Sequence, residues 1–452
     1  MRPLHTPIRS VTTFYREIEE LPHGDPSPFL ASFAGQPRGF WGGRDRWMAW
    51  GGALARIRLE HGSEEDRFDR VRDIARRILG KMDAGDDART DDDRPRFFGG
   101  FSFLRTGGQD AIWKSFPSAE FTLPRVVLTG DGGRVRLAVA HTGNGAAADS
   151  ELEQLISRLR LRPERPPPTF HDPTWTPVGD PRGRERWEAA VGRVLRGVRE
   201  GVLEKAVLAR VLDVDFHRPV DPLSSLRFLR SENQRAHVYL FEPLPGQVFM
   251  GAAPEVLAQL WGDRFQATAV AGSIPRGASP EEDAQLSQRL LASEKDGNEH
   301  RLTVQEIVEV LSSRLDRLEV EKSPRVLSLA RIQHLETAIR GQAVKGEDIL
   351  SLVRGLHPTP AVCGRPRDAA QALIRAAEPF DRGWYAGPVG WFDSAGDGAF
   401  VPALRAAVGG GKRWRLFAGA GIVEGSDPEA EWEETGLKFE PALRALAAGS
   451  GQ

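Results

Sequence analysis

Only one cysteine, Cys363, occurs among the 452 residues. A lone thiol excludes an intramolecular disulfide framework, and it excludes a zinc or iron–sulfur site built from cysteines. Long apolar runs are missing as well: no stretch of eighteen apolar residues occurs, and the first twenty residues lack the apolar core of a signal peptide. The sequence therefore predicts a cytoplasmic protein with no membrane span.

An excess of charge of one sign is also absent. Lys and Arg number 61 against 63 for Asp and Glu, so the formal net charge is -2 at pH 7. A near-neutral chain has no overall attraction for nucleic acid or anionic lipid, and we expect electrostatic binding to be local. The G-x-x-x-x-G-K-[ST], G-x-G-x-x-G and H-E-x-x-H motifs do not occur, so no signal for a nucleoside triphosphate, a dinucleotide or a zincin site is present.

Two segments interrupt the chain. Residues 83–96 are acidic and poor in apolar side chains, which is typical of a surface loop. Residues 162–177 carry a proline run that cannot lie inside a helix or a central strand. We take the second segment as the junction between an N-terminal portion, residues 1–165, and a C-terminal core, residues 180–445.

The apolar patterns of the core predict both strands and helices. Residues 206–216 and 237–252 are rich in β-branched and aromatic side chains, which favours strands. Helical spacing of apolar residues predicts helices at 187–201, 299–315 and 369–378. Because the strands come in adjacent groups rather than in strict β–α–β order, the pattern favours an α+β fold.

Two acid pairs stand at predicted helix starts. Asp296 and Glu299 follow Ser293, and Glu431 and Glu434 follow the residues "SDP". One interpretation is capping, since first-turn acids offset the helix dipole and Ser293 with Asp296 resembles a capping box. The other is that carboxylates from two helix starts hold a hard cation such as Mg²⁺. The spacing alone favours capping.

Local patterns allow two interpretations of Lys205 and one of Glu255. Strand alternation places Lys205 on the same face as Val207 and Ala209, where a lysine either extends to solvent at the strand end or is desolvated. A desolvated lysine could act as a general base. Glu255 follows Pro254 after a turn of small residues, which is typical of a helix start.

The order of eight segments carries more information than any one of them. In order along the chain they are "LEKAVLAR", "FMGAAPEVL", "AVAGSIPRG", "SEKDGNEHRLTVQEI", "RIQHLETAIRGQ", "LHPTPAVCGRP", "YAGPVGWFDSAGDGAFVPALRAA" and "AGAGIVEGSDPEAEWEETGLK". Together they resemble the signature segments of the chorismate-utilising enzymes, a family that includes anthranilate, aminodeoxychorismate, isochorismate and salicylate synthases. The resemblance covers about residues 180–445, the proposed chorismate-binding core. It implies a large α+β fold with mostly antiparallel β-sheets flanked by helices, and a Mg²⁺-dependent reaction at the ring of chorismate.

The resemblance also implies catalytic roles. Lys205 stands where ammonia-using members have glutamine, and it is expected to activate water for attack at ring carbon 2. Ala271 stands where aminodeoxychorismate synthases carry a nucleophilic lysine, which leaves room for that water. Glu255 is expected to protonate the hydroxyl that departs from ring carbon 4, so the pKa of its carboxyl should be raised.

Binding roles follow from the same matches. Glu299 and Glu434 are the expected Mg²⁺ ligands, while Asp296 and Glu431 are expected to reach the metal through water. Arg405, with Tyr385 and the amides near Gly421, matches the family's clamp on the enolpyruvyl carboxylate. The complete set of expected substrate-binding residues is Gly272, Ser273, His334, Tyr385, Arg405, Gly421 and Lys438.

Within the family, the residues resemble an isochorismate synthase that needs no glutamine amidotransferase subunit. The N-terminal segments "RGFWGGRDRWMAWGG" and "RFFGGFSF" look like those of the menaquinone-pathway enzymes. One alternative is a salicylate synthase, which shares the lysine and the glutamates and then eliminates pyruvate. Another is an anthranilate synthase-like enzyme that uses ammonia. A catalytically silent relative would lack one of the key groups, yet all four are present: Lys205, Glu255, Glu299 and Glu434.

Overall fold

The computed structural model describes most of the chain, namely residues 11–18, 24–62, 66–80, 82–83, 94–105, 107, 110–141, 145–160, 175–180 and 182–451. Most of the predicted acidic loop and most of the proline-rich junction lie outside these residues, so both stay predictions. No helix in the described ranges is long and apolar enough to cross a membrane.

Ten helices and twenty-three strands are described. The helices are α1 (Ser27–Ala31), α2 (Arg67–Leu79), α3 (Gly145–Arg160), α4 (Gly183–Arg199), α5 (Pro222–Glu232), α6 (Pro280–Ala292), α7 (Glu294–Leu311), α8 (Ile349–Leu356), α9 (Arg367–Ala377) and α10 (Pro428–Ser450). The strands before residue 200 are β1 (Val11–Ile18), β2 (Arg38–Gly42), β3 (Arg46–Gly51), β4 (Ala55–Leu59), β5 (Met82–Asp83), β6 (Arg96–Phe101), β7 (Ala119–Leu123), β8 (Val126–Asp131), β9 (Arg134–His141) and β10 (Trp175–Val178). The later strands are β11 (Lys205–Phe216), β12 (His237–Leu244), β13 (Gln247–Ala253), β14 (Ala258–Trp261), β15 (Arg264–Pro275), β16 (Leu315–Val320), β17 (Arg325–Ser328), β18 (Ile332–Ala343), β19 (Gly364–Arg365), β20 (Pro388–Asp393), β21 (Gly398–Pro402), β22 (Ala407–Gly410) and β23 (Arg413–Ile422).

These strands form two large sheets. Sheet A has the order β10-β11-β23-β22-β13-β12-β2-β3-β8-β9-β1-β5, with β19 also paired to β11. Sheet B has the order β16-β18-β15-β14-β21-β20-β6-β7-β4, with β17 also paired to β18. Among the described strands only the short β1–β5 pair is parallel. The predicted α+β fold with mostly antiparallel sheets is confirmed.

Strands from both portions of the sequence share both sheets. In sheet A, β2 pairs with β12, and in sheet B, β6 pairs with β20. The division between residues 1–165 and 180–445 stays a prediction about the sequence, whereas in space the N-terminal strands extend the sheets of the core.

The apolar core of the described chain has three layers. One lies between sheet A and its helices and contains Phe439 of α10, and another lies between sheet B and its helices and contains Leu352 of α8. The middle layer joins strands of both sheets and is rich in aromatic side chains such as Trp50 and Trp384. The two sheets therefore stack face to face, with α4 and α9 also packed on the middle layer and other helices on the outer faces, because each sheet has two apolar faces to cover.

The strand and helix predictions hold with one change of boundary. The segments predicted as strands are β11, β12 and β13, and the predicted helices at 187–201 and 369–378 overlap α4 and α9. The third helix was predicted to run to residue 315, but α7 ends at Leu311 and Leu315 begins β16. Its last apolar residue, Leu315, belongs to a strand because it pairs with Ala343 at the end of β18.

Along part of one edge of β11, the buried ion pair Glu378–Arg382 makes the backbone hydrogen bonds that a neighbouring strand would otherwise make. Here Ala209 N donates to Glu378 Oε1 at 2.8 Å, and Arg382 Nη2 donates to Val207 O at 2.8 Å. Arg382 Nε also donates to Glu378 Oε2 at 2.8 Å, and both side chains are at most 4% exposed. The pair therefore satisfies backbone groups of β11 that would otherwise be buried without partners.

Replacing Arg382 by Met should lower the free energy of unfolding by about 3–5 kcal/mol, because the Glu378 carboxylate would stay buried without its cation. Urea unfolding of the wild type and the variant measures this loss. Arg184→Met is the matched control, since its ion pair with Glu188 is about half exposed and should contribute little. An equally small effect of both substitutions would contradict the importance of the buried pair.

Candidate active site

A cavity of about 650 Å³ of empty space lies where the two sheets meet α7 and α10. Nine of the residues predicted from the sequence line it: Glu255, Gly272, Ser273, Glu299, His334, Tyr385, Arg405, Gly421 and Lys438. Three other members of the predicted set adjoin the lining, since Lys205 contacts Glu299, Glu434 contacts Lys438 and Asp296 accepts from Ser273 N. Glu431 lies one contact further out, on Lys295.

Lys205 is fully buried at the start of β11. Its side chain is 0% exposed, and its Nζ lies 3.0 Å from Glu299 Oε1 and 3.3 Å from Thr303 Oγ1. The interpretation of Lys205 as a lysine that reaches solvent is therefore wrong, and the desolvated alternative holds. Burial of an ammonium is costly, so it requires the carboxylate that α7 supplies.

Glu299 completes that pair from the second turn of α7. Burial raises the pKa of its carboxyl, but the charges of Lys205, Lys438 and Lys295 together outweigh burial and hold the pKa below its ordinary value. Gly421 of β23 makes the close approach possible, because a Cβ at this position would overlap Glu299 Oε1 and lie 2.9 Å from Lys205 Cε. Glu299 is thus an ionised carboxylate in a densely packed position.

Glu255 is a buried carboxyl in the loop after β13. It is 1% exposed, and its Oε1 has no hydrogen-bond partner within the described residues. Burial raises the pKa of Glu255 to about 8, although Lys205 and a backbone hydrogen bond from Val270 act in the opposite direction. The carboxyl is therefore mainly protonated at pH 7, which agrees with the expectation for a general acid.

The predicted helix start at Pro254-Glu255 is wrong. The residues after Ala253 form a loop that leads into β14. Val256 N donates to Thr268 Oγ1 at 2.8 Å, and Thr268 N donates to Val256 O at 2.9 Å. These bonds to β15 hold the segment extended, so a partner twelve residues away overrides the local helix signal.

The two acids of the first pair have different places: Asp296 lies at the N-terminal cap of α7, and Glu299 lines the cavity. Ser293 caps α7, as its Oγ accepts from Asp296 N at 3.2 Å. The reciprocal backbone bond of a capping box does not form, since Ser293 N donates to Leu290 O. The Asp296 carboxylate instead accepts from Ser293 Oγ at 2.5 Å and from Ser273 N at 3.4 Å. Asp296 also packs beside Gly272, whose φ of 75° and lack of a Cβ allow this contact.

The second acid pair lies at the start of α10. Asp427 caps the helix, and the side chain of Glu431 turns inward to accept from Lys295 Nζ at 2.6 Å and Ser426 Oγ at 2.8 Å. Burial and then the nearby Glu434 raise the pKa of Glu431 to about 6, although Lys295 lowers it. Glu431 and Glu434 therefore repel each other when both are ionised, and a bound cation would relieve that repulsion.

The donor set fits Mg²⁺. Four carboxylates converge on this end of the cavity with three lysines, in the pairs Lys205–Glu299, Lys295–Glu431 and Lys438–Glu434, with Asp296 as the fourth acid. In the described part of the chain no three His, Cys, Asp or Glu side chains form a ready-made metal cluster. Magnesium takes one or two carboxylates and completes its shell with water and substrate oxygens, so Glu299 and Glu434 are the residues that would hold it.

The opposite side of the cavity is built for an anion. The Arg405 guanidinium is buried, which lowers its pKa to about 10, and no carboxylate of the described residues lies within ion-pair distance of it. Arg405 Nη2 donates to His334 Nε2 at 2.7 Å, so the ring proton of His334 lies on Nδ1, which is 3.1 Å from Gly272 O. A cation held by a neutral imidazole suits a substrate carboxylate. Tyr385 lines the same wall, and burial raises the pKa of its hydroxyl to about 12.

Sequence reasoning missed three polar neighbours of the site. Lys295 pairs with Glu431, Thr303 contacts Lys205, and His300 Nε2 lies 2.7 Å from Thr337 Oγ1 beside them. Thr303 could have been found from helical spacing, since it is four residues after Glu299 and must lie on the same face of α7. Nothing in the sequence indicated that Lys295 would reach α10.

Comparison with known proteins agrees with this geometry. A family model described as chorismate binding enzyme matches residues 8–447. The chain is 38% identical over 416 residues to the salicylate biosynthesis isochorismate synthase of Pseudomonas aeruginosa, covering 90% of this chain and 83% of that protein. It is 35% identical over 355 residues to the isochorismate synthase MenF of Bacillus subtilis, covering 78% of this chain and 74% of that protein. The solved structure of MenF, the menaquinone-specific isochorismate synthase from Escherichia coli, superposes with a TM-score of 0.78 at 26% identity and covers 96% of this chain and 94% of its own. The family predicted from the eight segments is confirmed.

Glu255→Gln should alter the pH dependence of stability. With a pKa near 8 in the folded protein and an ordinary value of 4.5, Glu255 keeps a proton that the unfolded chain has released. Its contribution to stability therefore falls as pH rises from about 5 to 8, by about 1 kcal/mol per pH unit. Glutamine cannot titrate. Urea unfolding at several pH values should therefore show that the free energy of unfolding of the variant rises relative to that of the wild type across this range. Equal slopes would contradict the raised pKa, and Glu433→Gln, at an exposed position, is the control.

Gly421→Ala should lower chorismate turnover by about tenfold or more, because the added Cβ displaces Glu299 and Lys205 from each other. The measurement is the steady-state rate at saturating chorismate. Gly43→Ala is the matched control, since a Cβ at Gly43 would have nothing within 4 Å. Full activity of Gly421→Ala would show that the close packing is unimportant.

Proposed function

We propose that this chain, which belongs to the family of chorismate-binding enzymes, is an isochorismate synthase. The observation that supports this most strongly is the presence of Lys205 and Glu255 at one cavity. They are a lysine and a carboxyl, each at most 1% exposed, and near enough for the charge of Lys205 to act on the pKa of Glu255. A base and an acid of this kind can exchange one hydroxyl of a ring for another.

In the proposed reaction, Lys205 first releases one ammonium proton to solvent; its neutral amine then takes a proton from a water molecule, and the water oxygen bonds to ring carbon 2 of chorismate. The ring double bonds shift, and the bond from carbon 4 to its hydroxyl breaks. Glu255 gives its proton to the departing hydroxyl, which leaves as water. One water enters and one leaves, so the product is an isomer of the substrate. Proton exchange with solvent then restores Lys205 and Glu255.

Glu255 suits the acid role because of its surroundings. Burial keeps the proton on the carboxyl near neutral pH, and Oε1 is free of protein partners within the described chain. A buried polar atom without a partner costs free energy, so this oxygen is prepared for a bond to a ligand. The departing hydroxyl would supply that bond.

The remaining lining residues orient the two carboxylates of the substrate. Arg405, with its guanidinium fixed by His334, would hold the enolpyruvyl carboxylate together with Tyr385. Gly272 and Ser273, in the bulge of β15, would contact the ring carboxylate. Bound at Glu299 and Glu434, Mg²⁺ would supply positive charge that fixes the ring carboxylate and polarises the ring.

We further propose that the isochorismate serves menaquinone synthesis in the cytoplasm and that no amidotransferase subunit is required. Supporting observations are the two N-terminal segments in β2–β3 and β6 and the overlap with the menaquinone-specific structure along most of the chain. The similarity to a protein named for salicylate biosynthesis supports salicylate as the alternative fate of the product. Loss of menaquinone on deletion of the gene, with salicylate unchanged, would decide between them.

Purified protein given chorismate and Mg²⁺ should form isochorismate, and removal of divalent cations with EDTA should abolish the reaction. Lys205→Ala should lower kcat about 10²–10⁴-fold, since it removes the general base. Chromatography of the products measures both. Lys412→Ala, at an exposed hairpin position, is the control and should keep wild-type activity.

Three outcomes would contradict this function. Stoichiometric pyruvate with salicylate would indicate a salicylate synthase, and ammonia-dependent anthranilate would indicate an anthranilate synthase-like enzyme. Unchanged kcat in Lys205→Ala would exclude Lys205 as the base.

A further inference from the structure

Thr303 lies one helical turn after Glu299 on α7 and is 0% exposed. Its Oγ1 is 3.3 Å from Lys205 Nζ and 3.1 Å from Glu299 O. None of the motifs in the sequence includes it among the reactive groups. Yet, within the described part of the chain, it is one of two acceptors in contact with the proposed base.

The hydroxyl of Thr303 has a fixed direction. Its proton is donated to the carbonyl of Glu299, the residue four positions earlier in the helix. A hydroxyl has one proton and two lone pairs, so Oγ1 faces Lys205 as an acceptor. The bond to the helix backbone therefore fixes the hydroxyl so that a lone pair of Oγ1 faces Lys205.

Two acceptors determine the orientation of the Lys205 amine. Nζ can rotate about its bond to Cε if only one acceptor holds it. With Glu299 Oε1 at 3.0 Å and Thr303 Oγ1 at 3.3 Å, two of its three positions are occupied. The third position has no partner within the described residues. A neutral amine that keeps two N–H bonds on these acceptors must place its lone pair at that third position.

We propose that Thr303 is a positioning residue that aims the lone pair of Lys205 at the attacking water. The proposal rests on the proposed function, in which Lys205 is the base. Glu299 is also a proposed metal ligand, so its carboxylate serves two partners. Among the described residues, the neutral hydroxyl of Thr303 bonds only to its own helix and to Lys205, so it can hold the amine in one orientation.

Thr303→Val tests this inference, because valine keeps the branched shape and removes the acceptor. The expected result is a kcat lower by about ten- to a hundredfold, with the KM for chorismate within about twofold, since the substrate contacts are unchanged. Thr303→Ser keeps the hydroxyl and should recover kcat to within about threefold of the wild type. If the valine variant does not fold, Thr303→Cys gives the same comparison, because sulfur is a weak acceptor.

Ser225→Ala is the matched control. Ser225 is 0% exposed on α5 and donates to the carbonyl four residues earlier, as Thr303 does, but it is not one of the residues that line the cavity. Its removal should leave kcat and KM unchanged. Thermal unfolding of all variants separates a loss of stability from a loss of rate.

Three results would overturn the inference. They are wild-type kcat in Thr303→Val, equal losses in the valine and serine variants, or a rise in KM that accounts for the whole loss of kcat/KM. In each case isochorismate formation by the wild type would leave the proposed function intact. If the wild type forms no isochorismate, the proposed function itself is wrong.

Discussion

The ion pair between Lys205 and Glu299 is the constraint on which the site depends. An ammonium with no exposed surface needs a charged partner at bonding distance, and here it comes from a different element, α7, rather than from the same strand. The pair therefore fixes the first turns of α7 against the end of β11. Its packing leaves no volume for a side chain at Gly421, so β23 must present a glycine at that point.

Two opposite solutions to charge burial lie side by side in this cavity. Glu299 is surrounded by lysines and stays ionised, with its pKa held below the ordinary value. Glu255 is also buried but has only partial compensation, so burial raises its pKa to about 8 and the carboxyl keeps its proton. The two carboxyls thus have different chemical states at the same pH, and environment rather than residue type assigns their roles.

The sequence predicted those parts of the site that depend on local patterns or on the order of the segments. Alternation placed Lys205 on a strand, and Ser293 was correctly identified as a cap. Helical spacing also places Thr303 on the same face of α7 as Glu299, although Thr303 is not among the predicted site residues. Contacts between distant segments could not be read in this way. The loop at Glu255 is extended because of Thr268, and Asp296 bonds to Ser273 rather than completing a capping box.

Under the proposed function the reaction is reversible, so the protonation state of Glu255 matters in both directions. In the forward direction Glu255 gives up a proton, and in the reverse direction the same carboxylate must take one from water. A group serves both directions best when its pKa lies near the working pH, because neither protonation state is then rare. A fully exposed glutamate, with a pKa near 4.5, would be ionised almost completely and would be a poor acid. Burial of Glu255 without a neutralising partner destabilises the folded state above about pH 5. The same burial gives Glu255 the pKa that suits an isomerisation that runs in both directions.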